Sequence, residues 1–425
     1  MQLMRVACLL LWAGISWGAA SGPTAAELNA IYLPSEALYV NLHINPELAF
    51  EEKQTAAQLA SRLTAFGFEV TTGVGGTGVV GILKNGAGPV VMLRTELDAL
   101  PVTEQTGLSF ASKKPGVMHA CGHDLHMAAW SGTAQWMSQH RDRWHGTLML
   151  IGQPAEETGA GATAMLKDGL FTRFPKPEYA IALHDDDTLP AGVIGYHAGF
   201  FRAAADMLTV TIFGRGGHGA MPQNTVDPIV IAARTILAWQ TIISRENDPQ
   251  SPAVLTVGAI QGGTKNNIIP DHVQLLLSVR TFDPEVRKRV LEAVARIAKA
   301  EAAASNAPRE PSIEPTAGMN HVEAVFNDAD LTARLATALK SAMPAGTVVE
   351  MPAKMTSEDF SEYGRAGVKA VLLHIGAVDP AKLAEARKTG IPVPAPHSPQ
   401  WAPVKEITIK AAIHAETLAL LDLLH

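Results

Sequence analysis

Cysteine is nearly absent: 425 residues contain only Cys8 and Cys121. Cys8 lies in an apolar run, Val6 to Trp17, that follows Arg5 and exits through Gly18, Ala19 and Ala20. One positive charge, a short greasy core and a small-residue exit form the pattern of a secretory signal peptide. A membrane anchor is the weaker reading, because spanning a bilayer takes roughly 20 apolar residues. Residues 1–20 are therefore expected to be a signal peptide, with export to a bacterial periplasm and a mature chain from about Ser21. Cys121 is then the one cysteine the mature protein keeps, which excludes an internal disulfide. A core of this size does not need one.

Positive charge is also short. Against 41 Asp and Glu stand 34 Lys and Arg, a net charge of −7 that becomes −8 once Arg5 is removed. Nothing here is basic enough to grip nucleic acid through its phosphates. Internal repeats and low-complexity tracts are missing as well, so the chain reads as a soluble globular enzyme. Its length exceeds one ordinary domain, and two domains are the default.

Thr24–Leu63 carries helical periodicity, broken at Leu42–Glu47, where Pro46 suits the first turn of a second helix. Val79–Leu83 and Val90–Leu93 flank the turn cluster Lys84–Pro89 and read as a hairpin. Leu125–Gln139 reads as a buried helix, and Gly146–Gln153 and Ala180–His184 as strands, an α/β layer pattern. The pattern then changes. Asp206–Phe213, Pro228–Ser244, Ala253–Ile260, His272–Arg280, Pro284–Ser305 and Ser312–Pro315 follow a β-α-β-β-α-β order, the ferredoxin-like plan. The α/β pattern resumes with a helix near Asp328–Met343, a strand at Val371–Ile375 and a last helix to His425. The fold expected is a two-domain α/β protein: a catalytic domain in two segments, 21–200 and 318–425, with a smaller α+β domain, 201–317, inserted between them.

Four short motifs offer metal ligands: Cys121 and His123, Glu156 and Glu157, His184, and His397 in Pro396-His397-Ser398-Pro399. All but the last sit at or just past the C-terminal end of an expected strand, where open α/β sheets place their ligand sites. Thiolate, imidazole and carboxylate together suit zinc, manganese or cobalt better than calcium or magnesium. Two such ions can share a bridging ligand and a water whose pKa they lower. Of two adjacent glutamates, one can ligate while the other takes a proton as general base. Spacing alone leaves open which does which. A lone buried histidine is more often a hydrogen-bonded core residue, and a lone Glu-Glu pair a solvated face. The joint pattern is what outweighs those bland readings.

His119-Ala120-Cys121-Gly122-His123-Asp124, Pro154-Ala155-Glu156-Glu157 and Gly216-Gly217-His218 together resemble the metal-dependent amidohydrolases of the aminoacylase and hippurate hydrolase family, which includes plant hydrolases of indoleacetyl-amino acids. The resemblance runs from about Ala37 to the C-terminus. It implies a zinc-exopeptidase-like α/β catalytic domain whose inserted ferredoxin-like domain is a lid or dimerisation domain, and a homodimer or larger homo-oligomer. It also implies Cys121, His123, Glu157, His184 and His397 as ligands of two divalent ions, manganese, zinc or cobalt, bridged by Cys121. Glu156 would be the general base. His218, from the lid or a partner subunit, would stabilise the oxyanion. Asn267 and Arg280 would hold the substrate's carboxylate or carbonyl, Arg being apt for its planar fork. Asp98 would orient a ligand histidine from outside the metal's own ligands. The substrate implied is a small N-acyl amino acid or short peptide. Rival readings are a dipeptidase on the same scaffold, a cysteine-nucleophile hydrolase using Cys121 with His123, and a binding protein that keeps the fold without the chemistry.

The chain departs from the family in places. Gln223 stands where histidine is frequent, which would remove a polar contact near the substrate. Glu96 replaces a commoner aspartate. Asp185-Asp186-Asp187 follows His184, where apolar residues are more usual. Three acids there either disfavour anionic substrates or face solvent, and the ordinary exposure of aspartate favours solvent. Ser357-Glu358-Asp359-Phe360 matches a family segment near the site and reads as supporting structure.

Overall fold

The computed structural model describes residues 22–424; the signal-peptide reading of residues 1–20 and Cys8 lies outside them. Among the described residues, no helix is long and apolar enough to cross a membrane.

An eight-stranded sheet runs, in spatial order, Glu69–Val74, Gly78–Asn85, Gly146–Gln153, Val90–Glu96, Tyr179–Pro190, Lys369–Val378, Ile194–Tyr196 and Val348–Glu350. Its four central strands are mutually parallel. Both their faces are covered, which is why Gly146–Gln153 is apolar almost throughout rather than alternating. Helices Ala25–Ile44, His123–Gln139 and Lys405–Leu423 join one face in a core that includes Leu42, Trp130, Leu150 and Ile413. Met92, Met149, Phe201 and Phe360 belong to the core on the other.

The expected hairpin does not form. Gly146–Gln153 inserts between Gly78–Asn85 and Val90–Glu96, pairing antiparallel with the first and parallel with the second. A turn signal reports a reversal of the chain but not which strand fills the gap. Pro46 likewise starts no helix: the second begins at Lys53, and the intervening stretch bridges Leu48 to Ala99. The strand expected to end at His184 continues to Pro190, because Lys369–Val378 pairs alongside it that far.

Residues 204–315 make a separate four-stranded antiparallel sheet, in the order Ala253–Gln261, His272–Thr281, Ala204–Phe213, Ser312–Pro315. His272–Thr281 alternates buried and part-exposed residues, as a sheet covered on one face must. Helices Pro228–Thr241 and Pro284–Ala304 share its core. Each starts with proline after an aspartate whose carboxylate accepts the next free amides. The first helix is shorter than expected, widening after Thr241 into a π turn, Ile242–Glu246. A two-stranded link, Gly199–Arg202 with Val325–Asn327, lies where the chain enters and leaves this unit.

The break after the first helix carries a buried charge. His43 is bound by Asp124 at 2.7 Å and Glu104 at 3.2 Å. Burial opposes its charge, but these carboxylates outweigh it and raise the pKa to about 9. The unfolded value is about 6.5, so the stabilisation is fully present below pH ~6.5 and is lost as pH rises through 9. The shift corresponds to about 3 kcal/mol. His43→Gln is expected to lower the urea midpoint at pH 6, and the gap to wild type should shrink by pH 9.5. A gap independent of pH would show that the imidazole is neutral.

Candidate metal centre and active-site cavity

The ligand-bearing segments meet at the C-terminal edge of the parallel strands. Gly122, in the left-handed conformation at φ 75°, lets the chain turn between Cys121 and the helix that starts at His123. A Cβ there would lie 2.2 Å from Asp185 Oδ2, so this spacer must be glycine. Ala155 and His397 also hold positive φ, at 51° and 72°. Such backbone is uncommon for residues with a Cβ, and it persists only where surrounding contacts enforce it. The Ala155 amide donates to buried Glu52 at 2.9 Å, and the His397 amide donates to the Ala120 carbonyl at 2.7 Å. The second bond ties the last motif directly to the first.

All five expected ligands and Glu156 converge. Cys121, His123 and His184 present ligand atoms within 4.8 Å of one another, as do Cys121, Glu157 and His397, and His123, Glu156 and Glu157. Cys121 Sγ lies 3.5 Å from His184 Nε2, and His397 Nε2 lies 3.3 Å from Glu157 Oε2. Cys121, Glu156, Glu157, His184 and His397 line one cavity of about 560 Å³.

The donor set fits two divalent ions. His123 Nδ1 donates to the Asp98 carbonyl and His184 Nδ1 to the Asp185 carbonyl, each at 2.8 Å. A carbonyl can only accept, so both rings are left with an Nε2 lone pair facing the cluster. His123 Nε2 and Glu157 Oε1 are buried there with no hydrogen-bond partner among the described residues. Buried polar atoms rarely stay so unless something else binds them. Burial, then the Glu157 carboxylate, push the Cys121 thiol well above its usual range. That is opposite to the activation a nucleophilic cysteine needs, whereas a cation stabilises the thiolate.

The Asp98 carboxylate accepts the amides of Glu156 and Glu157, both at 3.0 Å, and stands 3.6 Å from His123 Nδ1. Its main contact is thus with the glutamate loop, while its backbone carbonyl orients His123. Arg280 lines the cavity, bonded to Ser357 at 2.8 Å. His218 and Asn267 do not line it. His218 pairs with Ile268 in an exposed two-stranded ribbon of the inserted unit, and Asn267, just before that strand, accepts the Gly219 amide at 2.9 Å. Gln223 is exposed beside that ribbon, so its departure removes no contact within this chain's cavity.

The solvent reading of the three aspartates fails for two of them. Asp185 and Asp186 are each 1% exposed. Asp185 accepts from Trp401 Nε1 at 3.0 Å, and Asp186 binds His374 Nδ1 and Lys354 Nζ, both at 2.6 Å. Only Asp187 is part-exposed, 3.3 Å from Lys354. Motif reading also missed His126, one helical turn past His123. Its Nδ1 donates to Glu96 at 3.0 Å and its Nε2 accepts the Asp185 amide at 2.8 Å. With both nitrogens committed it supports the site rather than ligating. Arg94 was missed too, although an arginine ending an apolar strand was a visible signal. It is buried against Glu96, Glu358 and Asp359.

A model of peptidase family M20/M25/M40 matches residues 92–389. The chain belongs to this family. It is thereby a metal-dependent hydrolase of amide bonds, with a centre for two divalent ions. The N-acetyl-L-cysteine deacetylase of Bacillus subtilis is 43% identical over 59% of this chain and 60% of its own length. The hippurate hydrolase of Campylobacter jejuni is 42% identical over 62% and 69%. A crystal structure of a Bacillus subtilis dinuclear metal-binding peptidase of family M20 superposes with a TM-score of 0.75 at 28% identity, covering 92% of this chain and 98% of that one.

Asp98→Asn keeps the size of the side chain but leaves one acceptor for two amides. It should weaken metal affinity about 10–100-fold, the usual cost of losing a partner behind the ligands. Competition titration against a chromogenic chelator measures this, and unchanged affinity would remove the role.

Proposed function

We propose that this protein hydrolyses the amide bond of N-acyl amino acids, or the C-terminal bond of short peptides. The observation carrying this reading is the convergence of Cys121, His123, Glu157, His184 and His397 beside Glu156, a carboxylate of the same cluster that ligation does not use. A bound pair of ions supplies a polarised scissile carbonyl and a water of lowered pKa. Glu156 takes that water's proton and returns it to the leaving amine. Burial, then the Glu358 and Glu157 carboxylates, raise its pKa well above the ordinary glutamate range, which makes it a stronger base. Arg280 holds the substrate's carboxylate. Names of relatives, the hippurate hydrolase among them, favour acylated amino acids as the substrate class.

His218 and Asn267 act in a partner subunit's cavity, which accounts for their position on the exposed ribbon. Residues 201–317 form the lid or dimerisation domain, and its free strand edge, Ala253–Gln261, exposes Val254 and Ile260. Export of the mature chain belongs to the same reading. The test is a hydrolysis screen of N-acetyl, N-benzoyl and indoleacetyl amino acids beside dipeptides, with metal content measured on the same preparation. Cleavage of dipeptides alone makes it a dipeptidase. A fully metallated protein that binds acyl-amino acids and cleaves none is a binding protein.

A further inference from the structure

Among the described residues, no anion pairs with two of the cations in the cavity wall. Arg202, 6% exposed, ends the link strand, and Arg280 is half-buried on the inserted sheet. Both line the cavity that holds Glu156 and the candidate ligands. Arg202 Nε donates to His374 Nε2 at 3.1 Å and its Nη1 donates to the Thr356 hydroxyl. Arg280 donates to the hydroxyls of Ser278 and Ser357, at 3.1 and 2.8 Å. Every one of these partners is neutral or able to be so. The third cavity cation differs, since Lys354 is matched by Asp186 and Asp187. The acid whose field reaches Arg280, Asp206, is occupied by Arg287 at 2.6 and 2.8 Å.

A buried charge without a counter-charge is costly, and these two converge on neighbouring residues, Thr356 and Ser357. An anion taken between them relieves that cost for both. The wiring behind Arg202 keeps it ready for that anion. His374 gives its Nδ1 proton to Asp186, so its Nε2 can only accept from Arg202. An arginine nitrogen can only donate, so the accepting Nε2 carries no proton and the ring is neutral. The Asp186 charge therefore reaches the guanidinium only through an uncharged ring, and it is already shared with Lys354.

We propose that Arg202 is a substrate-binding residue that closes with Arg280 on one carboxylate of the substrate, and that His374 is the positioning residue that aims it. This rests on the amide-hydrolase reading above and deepens it: the cavity selects substrates with a free carboxylate, and two arginines from different parts of the fold hold that group.

The experiment compares N-benzoylglycine with N-benzoylglycinamide, which differ only in that carboxylate. Each is assayed for turnover by the metal-loaded enzyme, and for binding to metal-loaded Glu156→Gln by calorimetry. Wild type should prefer the acid. In Arg202→Met, KM for the acid should rise at least about 30-fold, the scale of losing one partner of a buried charged pair, with a smaller change in kcat. The acid-to-amide ratio should fall toward one. Arg202→Lys should restore part of it. Arg202→Met and Arg280→Met should be non-additive in a double-mutant cycle, because both act on the same group. His374→Phe should lower the ratio less than Arg202→Met does. An Arg202→Met protein with wild-type melting, metal content and acid-to-amide ratio overturns the proposal, and so does strict additivity of the two arginine variants. If wild type cleaves neither compound, the hydrolase reading fails by itself, and calorimetric acid-over-amide preference still decides the role of Arg202.

Discussion

The Glu156→Gln protein is expected to bind its metals with wild-type stoichiometry and to turn over about 10²–10⁴-fold more slowly, the usual contribution of a positioned general base. Glutamine keeps the shape of the side chain and loses only its capacity to accept a proton. The three hydrogen bonds that fix the loop do not involve the Glu156 side chain: Glu52 holds the Ala155 amide, and Asp98 holds the amides of Glu156 and Glu157. Loop geometry should therefore survive the substitution. The carboxylate it replaces sits 3.8 Å from His123 Nε2. Because a base works only when deprotonated, wild-type kcat should fall on the acid side, and that limb should vanish in Glu156→Gln. A variant retaining more than about a tenth of wild-type kcat would remove Glu156 from the reaction.

What could be read in the chain before any coordinates depended on how far apart the interacting residues lie. Cys121 and His123 are separated by one residue, so their shared geometry is local, and Gly122 between them signals the turn that allows it. The ferredoxin-like unit was legible because its strand and helix periods follow one another in order over a contiguous stretch. The central sheet was less so, since the neighbour of Val90–Glu96 is supplied by Gly146–Gln153 rather than by the strand before it. The charged residues misled most. Asp185 and Asp186 look like surface residues in isolation, yet Trp401, His374 and Lys354, which bind them, come from far along the chain. Arg94 with Glu358, and Arg202 with His374, are the same case: no local pattern announces a pair separated by 264 or 172 residues.

Stripping the metal should abolish activity, and manganese, zinc or cobalt should restore it. Glu156, Glu157 and Glu358 line the cavity, with Asp98 buried behind the first two and a cysteine whose thiolate burial disfavours. Without cations these groups repel, and Glu157 Oε1 and His123 Nε2 remain buried and unpaired. Metal bound only by the folded state adds stability, about 2.7 kcal/mol at a hundred times Kd. The stripped protein should thus melt at a lower temperature as well as lose turnover, and both should return together. Cys121→Ala should reproduce the loss with metal present in the buffer, because the sulfur lies within reach of ligands from both sides of the cluster. Cys121→Asp, which keeps an anionic donor able to bridge, should recover part of the metal content and activity. The opposite pattern is equally informative: activity that survives complete metal removal but is lost on thiol alkylation would make Cys121 the nucleophile, despite the burial that keeps its thiol protonated.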